Sequence, residues 1–169
     1  MKLLSSLIVA AFLAGCSTAK VAPIALSAPF DASQAYAFLE PGTNTISGSA
    51  LIRQNGGGVV TCAGLEVQLV PSTAYATERV QAIYGNSNRG YRPIVSPVTF
   101  TPDYPEYQQA TRRTLCDAQG RFEFSRVKDG TFYVVTIIVW QAGNMPQGGV
   151  VMAAAHVSGG EAEQVVLSP

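Results

Sequence analysis

Histidine is nearly missing from this chain: His156 is the only one in 169 residues, and no His-x-x-Glu or His-x-His spacing accompanies it. A general base or a metal ligand needs partners within hydrogen-bond reach. One isolated imidazole supplies none, so His156 reads as a structural residue of its strand. Charge is scarce as well, at 13% of residues, with 11 basic side chains balanced by 11 acidic ones. Nucleic-acid binding rests on clustered Lys and Arg, and the absence of any basic run excludes that class of partner. No apolar stretch reaches the roughly 20 residues a membrane-spanning helix requires. A Gly-x-Ser-x-Gly elbow for serine hydrolysis is missing. Gly56-Gly57-Gly58 lacks the Lys-Ser/Thr of a phosphate-binding loop and reads as a hairpin turn. Asp103, Glu106 and Asp117 are separated by prolines or strand patterns, without the dense oxygen ligands of a calcium loop. The expectation is a chain with no cofactor, no metal and no enzymatic activity.

What is present begins at the N-terminus. Lys2, the apolar run Leu3 to Leu13 and the small residues after it form a secretory-signal pattern, which ends in Leu13-Ala14-Gly15-Cys16. That order resembles a bacterial lipobox. The resemblance covers residues 1–16 and implies a signal peptide over 1–15, with cleavage before Cys16. It also implies acylation of the Cys16 thiol and new amino group, palmitate included, with the lipid bilayer as a partner. Two or more acyl chains, at about 0.8 kcal/mol per buried CH₂, anchor a protein stably where one does not. Ser17 and Thr18 follow the cysteine with no Asp. In the sorting pattern this resembles, that favours the outer membrane, so the expected location is the bacterial cell envelope, facing the periplasm.

Outside the cytoplasm disulfides persist. With Cys16 used for lipid, Cys62 and Cys116 remain as an even pair, 54 positions apart, and are expected to bond. Two buried free thiols or a metal pair are the alternatives, and two cysteines with one distant histidine fall short of a four-ligand zinc site.

Residues 16–40 are rich in Ala, Ser, Thr and Pro and read as the lipidated cysteine plus a flexible tether, with Ala35 to Leu39 the part that could lie against the domain. Residues 41–169 read as one domain large enough for its own core. From Thr45 onward, short alternating runs are split by Gly, Asn, Asp and Pro, as in an all-β protein. Ile46, Gly48, Ala50 and Ile52 alternate with polar neighbours in a first strand. Leu65, Val67 and Leu69 alternate with Glu66 and Gln68 in a second, ended by Pro71. Phe132 to Trp140 is apolar on both faces and predicts a central, doubly covered strand. Val150–Val157 and Ala162–Leu167, joined around Ser158-Gly159-Gly160, predict a final hairpin. Ala76, Val80, Ile83 and Tyr84 repeat at helical spacing, predicting one short helix over Thr73–Tyr84. Gly85 to about Ala110 reads as a long excursion, and loops of that length tend to be functional or mobile.

The run Cys116-Asp117-Ala118-Gln119-Gly120-Arg121-Phe122-Glu123-Phe124, followed by Gly130-Thr131-Phe132-Tyr133, is similar to the signature of the carboxypeptidase regulatory-like domain. Gly48 and Gly64-Leu65-Glu66-Val67-Gln68-Leu69 match that family's opening. The resemblance spans about 45–168. It implies an all-β, transthyretin/prealbumin-like Greek-key sandwich of about seven strands, with the helix and long loop inserted after the second strand. It also implies a binding or structural module. Hydroxyisourate hydrolase, a catalytic relative of that architecture, has several histidines and a Tyr-Arg-Gly-Ser ending that this chain lacks.

Function is therefore expected to lie in contact with another envelope protein or component. The alternative is glycan binding by the tyrosine-rich loop 84–107, together with Trp140. Tyrosine and arginine are favoured at interface hot spots, and aromatic rings stack on sugars. Tyr84, Tyr91, Tyr104, Tyr107, Arg92 and Arg112 are the expected surface. The competing reading is that these rings fold back to cover a sheet.

Overall fold

The computed structural model describes residues 22–94 and 98–169; the leader and Cys16 lie outside them. A five-stranded antiparallel sheet runs in the order β5 (Arg89–Pro93), β10 (Met145–Val157), β9 (Gly130–Ala142), β4 (Glu66–Pro71) and β7 (Arg112–Leu115). A four-stranded sheet faces it. There β2 (Asn44–Arg53) pairs with β11 (Ala162–Leu167) in parallel on one side, and on the other with β8 (Arg121–Val127) and then β3 (Val59–Thr61). Two-residue strands β1 (Ile24–Ala25) and β6 (Phe100–Thr101) form a small parallel ribbon. Three helices complete the fold: α1 (Ala32–Ala37), α2 (Ala74–Tyr84) and α3 (Pro105–Gln109).

Alternation decides which side chains fill the space between the sheets. In β2, Asn44, Ile46, Gly48, Ala50 and Ile52 are buried while their neighbours are not, as period-two geometry requires. They meet Val67, Leu69, Phe122, Phe132, Val134, Ile138 and Val151 in the main core. The opposite face of the large sheet is covered by α2, where Ala76 and Val80 pack on Val70, Tyr133 and Met152. Central strand β9 is thus buried on both faces over its first half.

Three expectations are corrected. The fold is not an all-β Greek-key sandwich of about seven strands with one helix. It is a mixed α/β fold with open sheets, in which eleven strands and three helices form among the described residues. Helices α1 and α3 span 6 and 5 residues, too short for a 3.6-residue period to show in sequence. The predicted last hairpin is also absent, because β10 and β11 do not pair. At Gly159 (φ 61°) and Gly160 (φ 89°) the chain turns across to the other sheet, where β11 joins β2 in parallel. Buried Asn44 fixes that corner. Its Oδ1 accepts from the Gly160 and Glu161 amides at 2.7 and 2.8 Å, and its Nδ2 donates to the Val127 carbonyl and to Asp129.

Finally, docking of the segment read as a tether is not confined to Ala35–Leu39, for its contacts with the domain begin at Ile24. β1 pairs with β6, and Phe38 packs edge-on against Phe132 with centroids 5.5 Å apart. The Glu78 carboxylate of α2 accepts from the Ser27 amide, the Ser27 hydroxyl and the Ala28 amide, at 2.6 to 3.0 Å. These donors, the Ser27 amide foremost, hold the Glu78 carboxyl below its ordinary 4.5. A depressed carboxyl stabilises the docked state above its unfolded value and loses that contribution as pH falls through the folded one. The Ser27 and Ala28 amides should therefore be protected from hydrogen exchange at pH 7 and lose protection relative to β9 as pH falls through the lowered range of this carboxyl, after correction for intrinsic rates. In Glu78→Ala they should exchange fast at pH 7 also. Equal protection in the variant would show that the carboxylate is not what holds this segment.

Candidate functional site

The six residues expected to form one surface are divided among four places. Tyr104 and Tyr107 pack around fully buried Tyr75, with ring centroids at 5.4 and 5.5 Å, and Phe30 joins them at 5.5 Å from Tyr75. The Arg79 guanidinium lies 4.2 Å from the Phe100 ring centroid and 4.6 Å from that of Tyr107, bonded to the Tyr75 hydroxyl and to Asp103. Desolvation pushes the Tyr107 phenol up to about 12, against the opposing pull of Arg79. Tyr84 is raised further, again by burial. Tyr84 and Tyr107 thus cover the outer face of the large sheet, beside Val70, Tyr133 and Met152, while Tyr104 packs on Phe30 and Tyr75.

Tyr84, Arg92 and Tyr107 do border a common groove of about 350 Å³ between α2 and the outer face of the large sheet, walled by Val80, Ile83, Val135 and Ile137. Arg92 donates there to the Ile83 carbonyl at 3.5 Å. Arg112 is elsewhere, bound to the Ser125 and Arg126 carbonyls at 2.7 and 3.2 Å.

Of the six, Tyr91 alone is exposed to solvent, at 37%, and its position is set by sheet geometry. β9 and β10 have 13 residues each while β2 has 10. At about 3.4 Å per residue, the long hairpin overhangs the facing sheet by roughly three residues. Side chains that point inward along the overhang have no opposing sheet to bury them. Directly opposed residues share a face, and the register Tyr91↔Val151, Pro93↔Gly149, Gly149↔Ile138 and Gln147↔Trp140 puts Tyr91, Trp140 and Gln147 on that inner face. They line a cleft of about 780 Å³ at the mouth of the sandwich. Its other wall is the β2–β3 turn, with Arg53, Gln54 and Asn55.

The rings are held before any ligand arrives. The Tyr91 hydroxyl donates to the Gly148 carbonyl at 3.1 Å. A Cβ at Gly149 would strike both the Tyr91 ring and the Arg92 carbonyl, so only glycine lets the ring lie there. Trp140 is half-buried, packed on the edge of the main core. Gln54 is anchored by its backbone, whose amide donates to the Gly58 carbonyl at 2.8 Å. Two fixed rings with Gln54, Asn55 and Gln147 beside them make a surface suited to a ligand with flat apolar faces and many hydroxyls. Trp140 was legible as a candidate in the sequence. Arg53, Gln54, Asn55 and Gln147 were not, since turn residues carry no signal of what faces them.

Other chemistry is sparse. No group of three His, Cys, Asp or Glu side chains that could hold a metal occurs among the described residues. His156 is exposed, with Nδ1 at 3.1 Å from the Thr131 hydroxyl. Cys62 and Cys116 are joined by a disulfide, Cα atoms 5.8 Å apart. No described helix is long and apolar enough to cross a membrane.

No family model matches the chain, and no curated protein matches it. One solved structure superimposes with a TM-score of 0.67 over 83% of this chain and 97% of the other, at 23% identity. It is a candidate carbohydrate-binding protein from Pseudomonas aeruginosa. At that identity the likeness establishes a shared β-sandwich-type fold.

Proposed function

We propose that this chain is a non-catalytic carbohydrate-binding module, and that the cleft formed by Tyr91 and Trp140 is its binding site. The observation carrying this is the pair of fixed inward-facing rings left uncovered by the overhanging hairpin, with amide side chains on both walls. A neighbour of the same fold described as a candidate carbohydrate-binding protein supports the reading. Tyr104 and Tyr107, packed into a cluster of their own, have no part in it.

On a glycan array, the mature protein should bind a restricted set of oligosaccharides. Tyr91→Ala and Trp140→Ala should each weaken that binding about ten-fold or more, or roughly 1.4 kcal/mol. Tyr104→Ala should leave affinity per folded molecule unchanged and lower stability instead. Binding indifferent to both Tyr91 and Trp140 would rule the cleft out.

The module is further proposed to be a lipoprotein of the bacterial envelope, made with a signal peptide over 1–15 and acylated at Cys16. Seven residues separate Cys16 from Ile24. Even fully extended they reach only about 28 Å, so the docked N-terminal segment would keep the domain close to the bilayer. Cells expressing Cys16→Ser should show no incorporation of labelled palmitate into the protein. Continued labelling of that variant would remove the anchor.

A further inference from the structure

We infer that the outer face of the four-stranded sheet is a self-association surface. A second copy of this chain seats on it through a two-fold contact that pairs Arg121 of each copy with Glu123 of the other.

The alternation that buries Gly48, Phe122 and Val165 sends their neighbours to the opposite side of the sheet. Register places those neighbours in two rows: Val166, Ser49 and Arg121 in one, Gln164, Ser47 and Glu123 in the next. Each row has a small serine at its centre and longer side chains at its ends, which leaves an open depression of about 550 Å³. Among the described residues no helix packs over it, whereas α2 covers the outer face of the large sheet. Val166 in the depression is 50% exposed, and Leu115 at its rim 66%. Arg121 and Glu123 are exposed as well. They take part in none of the ion pairs among the described residues, which join Arg79 to Asp103, Arg113 to Glu66 and Lys128 to Glu40.

Charge selects the occupant. Arg121 and Glu123 stand about 7 Å apart on one strand and share a face. A two-fold axis lying in that face, across the strands and between the two rows, exchanges one row for the other. Arg121 then meets the partner's Glu123, and Glu123 meets the partner's Arg121. The serines lie over one another, which lets the two sheets approach. A face with one charge of each sign at exchangeable positions is complementary to itself, as a closed isologous dimer requires. A partner of single charge sign would satisfy one of these groups and oppose the other. With β2 10 residues long, three strands present a face of about 34 by 15 Å. Roughly 1,000 Å² is then buried over both copies, at the low end for a specific interface, so the dimer is a reversible one. The depression shares no lining residue with the aromatic cleft, and the inference stands apart from the carbohydrate reading.

The test is co-purification, in mild detergent, of two differently tagged copies of the full chain made in the same cells. Wild-type copies should retain one another. Arg121→Glu in both copies, or Glu123→Arg in both, sets like charges face to face and should reduce retention about ten-fold or more. A copy with Arg121→Glu and a copy with Glu123→Arg should retain one another at least as well as wild type, since both contacts are then paired again. That recovery also shows that both variants are folded. Wild-type copies that do not retain one another would overturn the inference, as would variants that associate like wild type. Loss in each variant without recovery in the mixed pair would rule out the two-fold contact. A different protein retained in equal amount, with no second copy, would assign the face to that partner and overturn the inference too.

Discussion

Replacing both Cys62 and Cys116 by alanine should lower the free energy of unfolding by about 4 kcal/mol, chiefly by releasing the unfolded chain. The bond closes a loop of 54 positions, and that loop holds everything from β4 through β7, including α2, β5, β6 and α3. Without the link, a third of the chain gains freedom when unfolded and none when folded. Both cysteines are buried at the end of the main core, so alanine adds a small packing loss to the entropic one. A domain of this size has about 5–15 kcal/mol in total, and the variant should sit near the edge of stability at body temperature. Urea unfolding of the oxidised protein and the double variant, with equal m-values, measures the difference. A loss under about 1 kcal/mol would mean that the unfolded ensemble is already restrained in this region.

Tyr75→Ala should cost about 3–5 kcal/mol, the range for removing a large buried aromatic side chain. Tyr75 is fully buried and is the hub of an aromatic cluster: Phe30 from the N-terminal segment, Tyr104 and Tyr107 from the insertion and Arg79 from its own helix all touch it. Its hydroxyl donates to the Pro102 carbonyl at 2.9 Å and accepts from Arg79 at 2.9 Å. Tyr75→Phe keeps the ring and loses those bonds, so about 1–2 kcal/mol is expected there. The two variants together separate ring packing from hydrogen bonding. Limited proteolysis locates the damage, and cleavage should concentrate in 22–31 and 98–111, which the hub joins to α2. A loss below about 1 kcal/mol for Tyr75→Ala would mean that the cluster is not cooperative with the rest of the fold. The result also bears on function, because a covering cluster is sensitive to truncation in a way that an exposed ligand platform is not.

Much of this organisation is legible in the sequence, for identifiable reasons. The helix α2 announces itself through Ala76, Val80 and Tyr84. Its ends match cap chemistry too: Thr73 accepts from the Ala76 amide, and Gly85 closes the C-terminus with a left-handed φ of 76°. The turn before β8 is written in Asp117 and Gly120. The Asp117 carboxylate accepts from the Gln119 and Arg121 amides at 2.8 Å each, and Gly120 takes the positive φ. Local chemistry of this kind needs no knowledge of the rest of the chain. The two short helices escape because each has under two turns, and the docked segment 24–28 escapes because its partners, Glu78 and Phe100–Thr101, are 50 to 76 positions away.

By itself, the sequence determined a disulfide-capable, strand-rich domain with few titratable groups, one amphipathic helix and a buried central strand. Those properties follow from composition and from periods of two and 3.6 residues, which act over a few neighbours. Only the tertiary structure decided that β11 crosses to pair with β2, that the tyrosines of the insertion divide between cover and cleft, and that Tyr91 and Trp140 line one cleft at the mouth of the sandwich. These depend on relative strand lengths and on register between segments far apart in the chain. A one-residue change in register would turn Tyr91 to the opposite face of the sheet, and no local pattern records that choice.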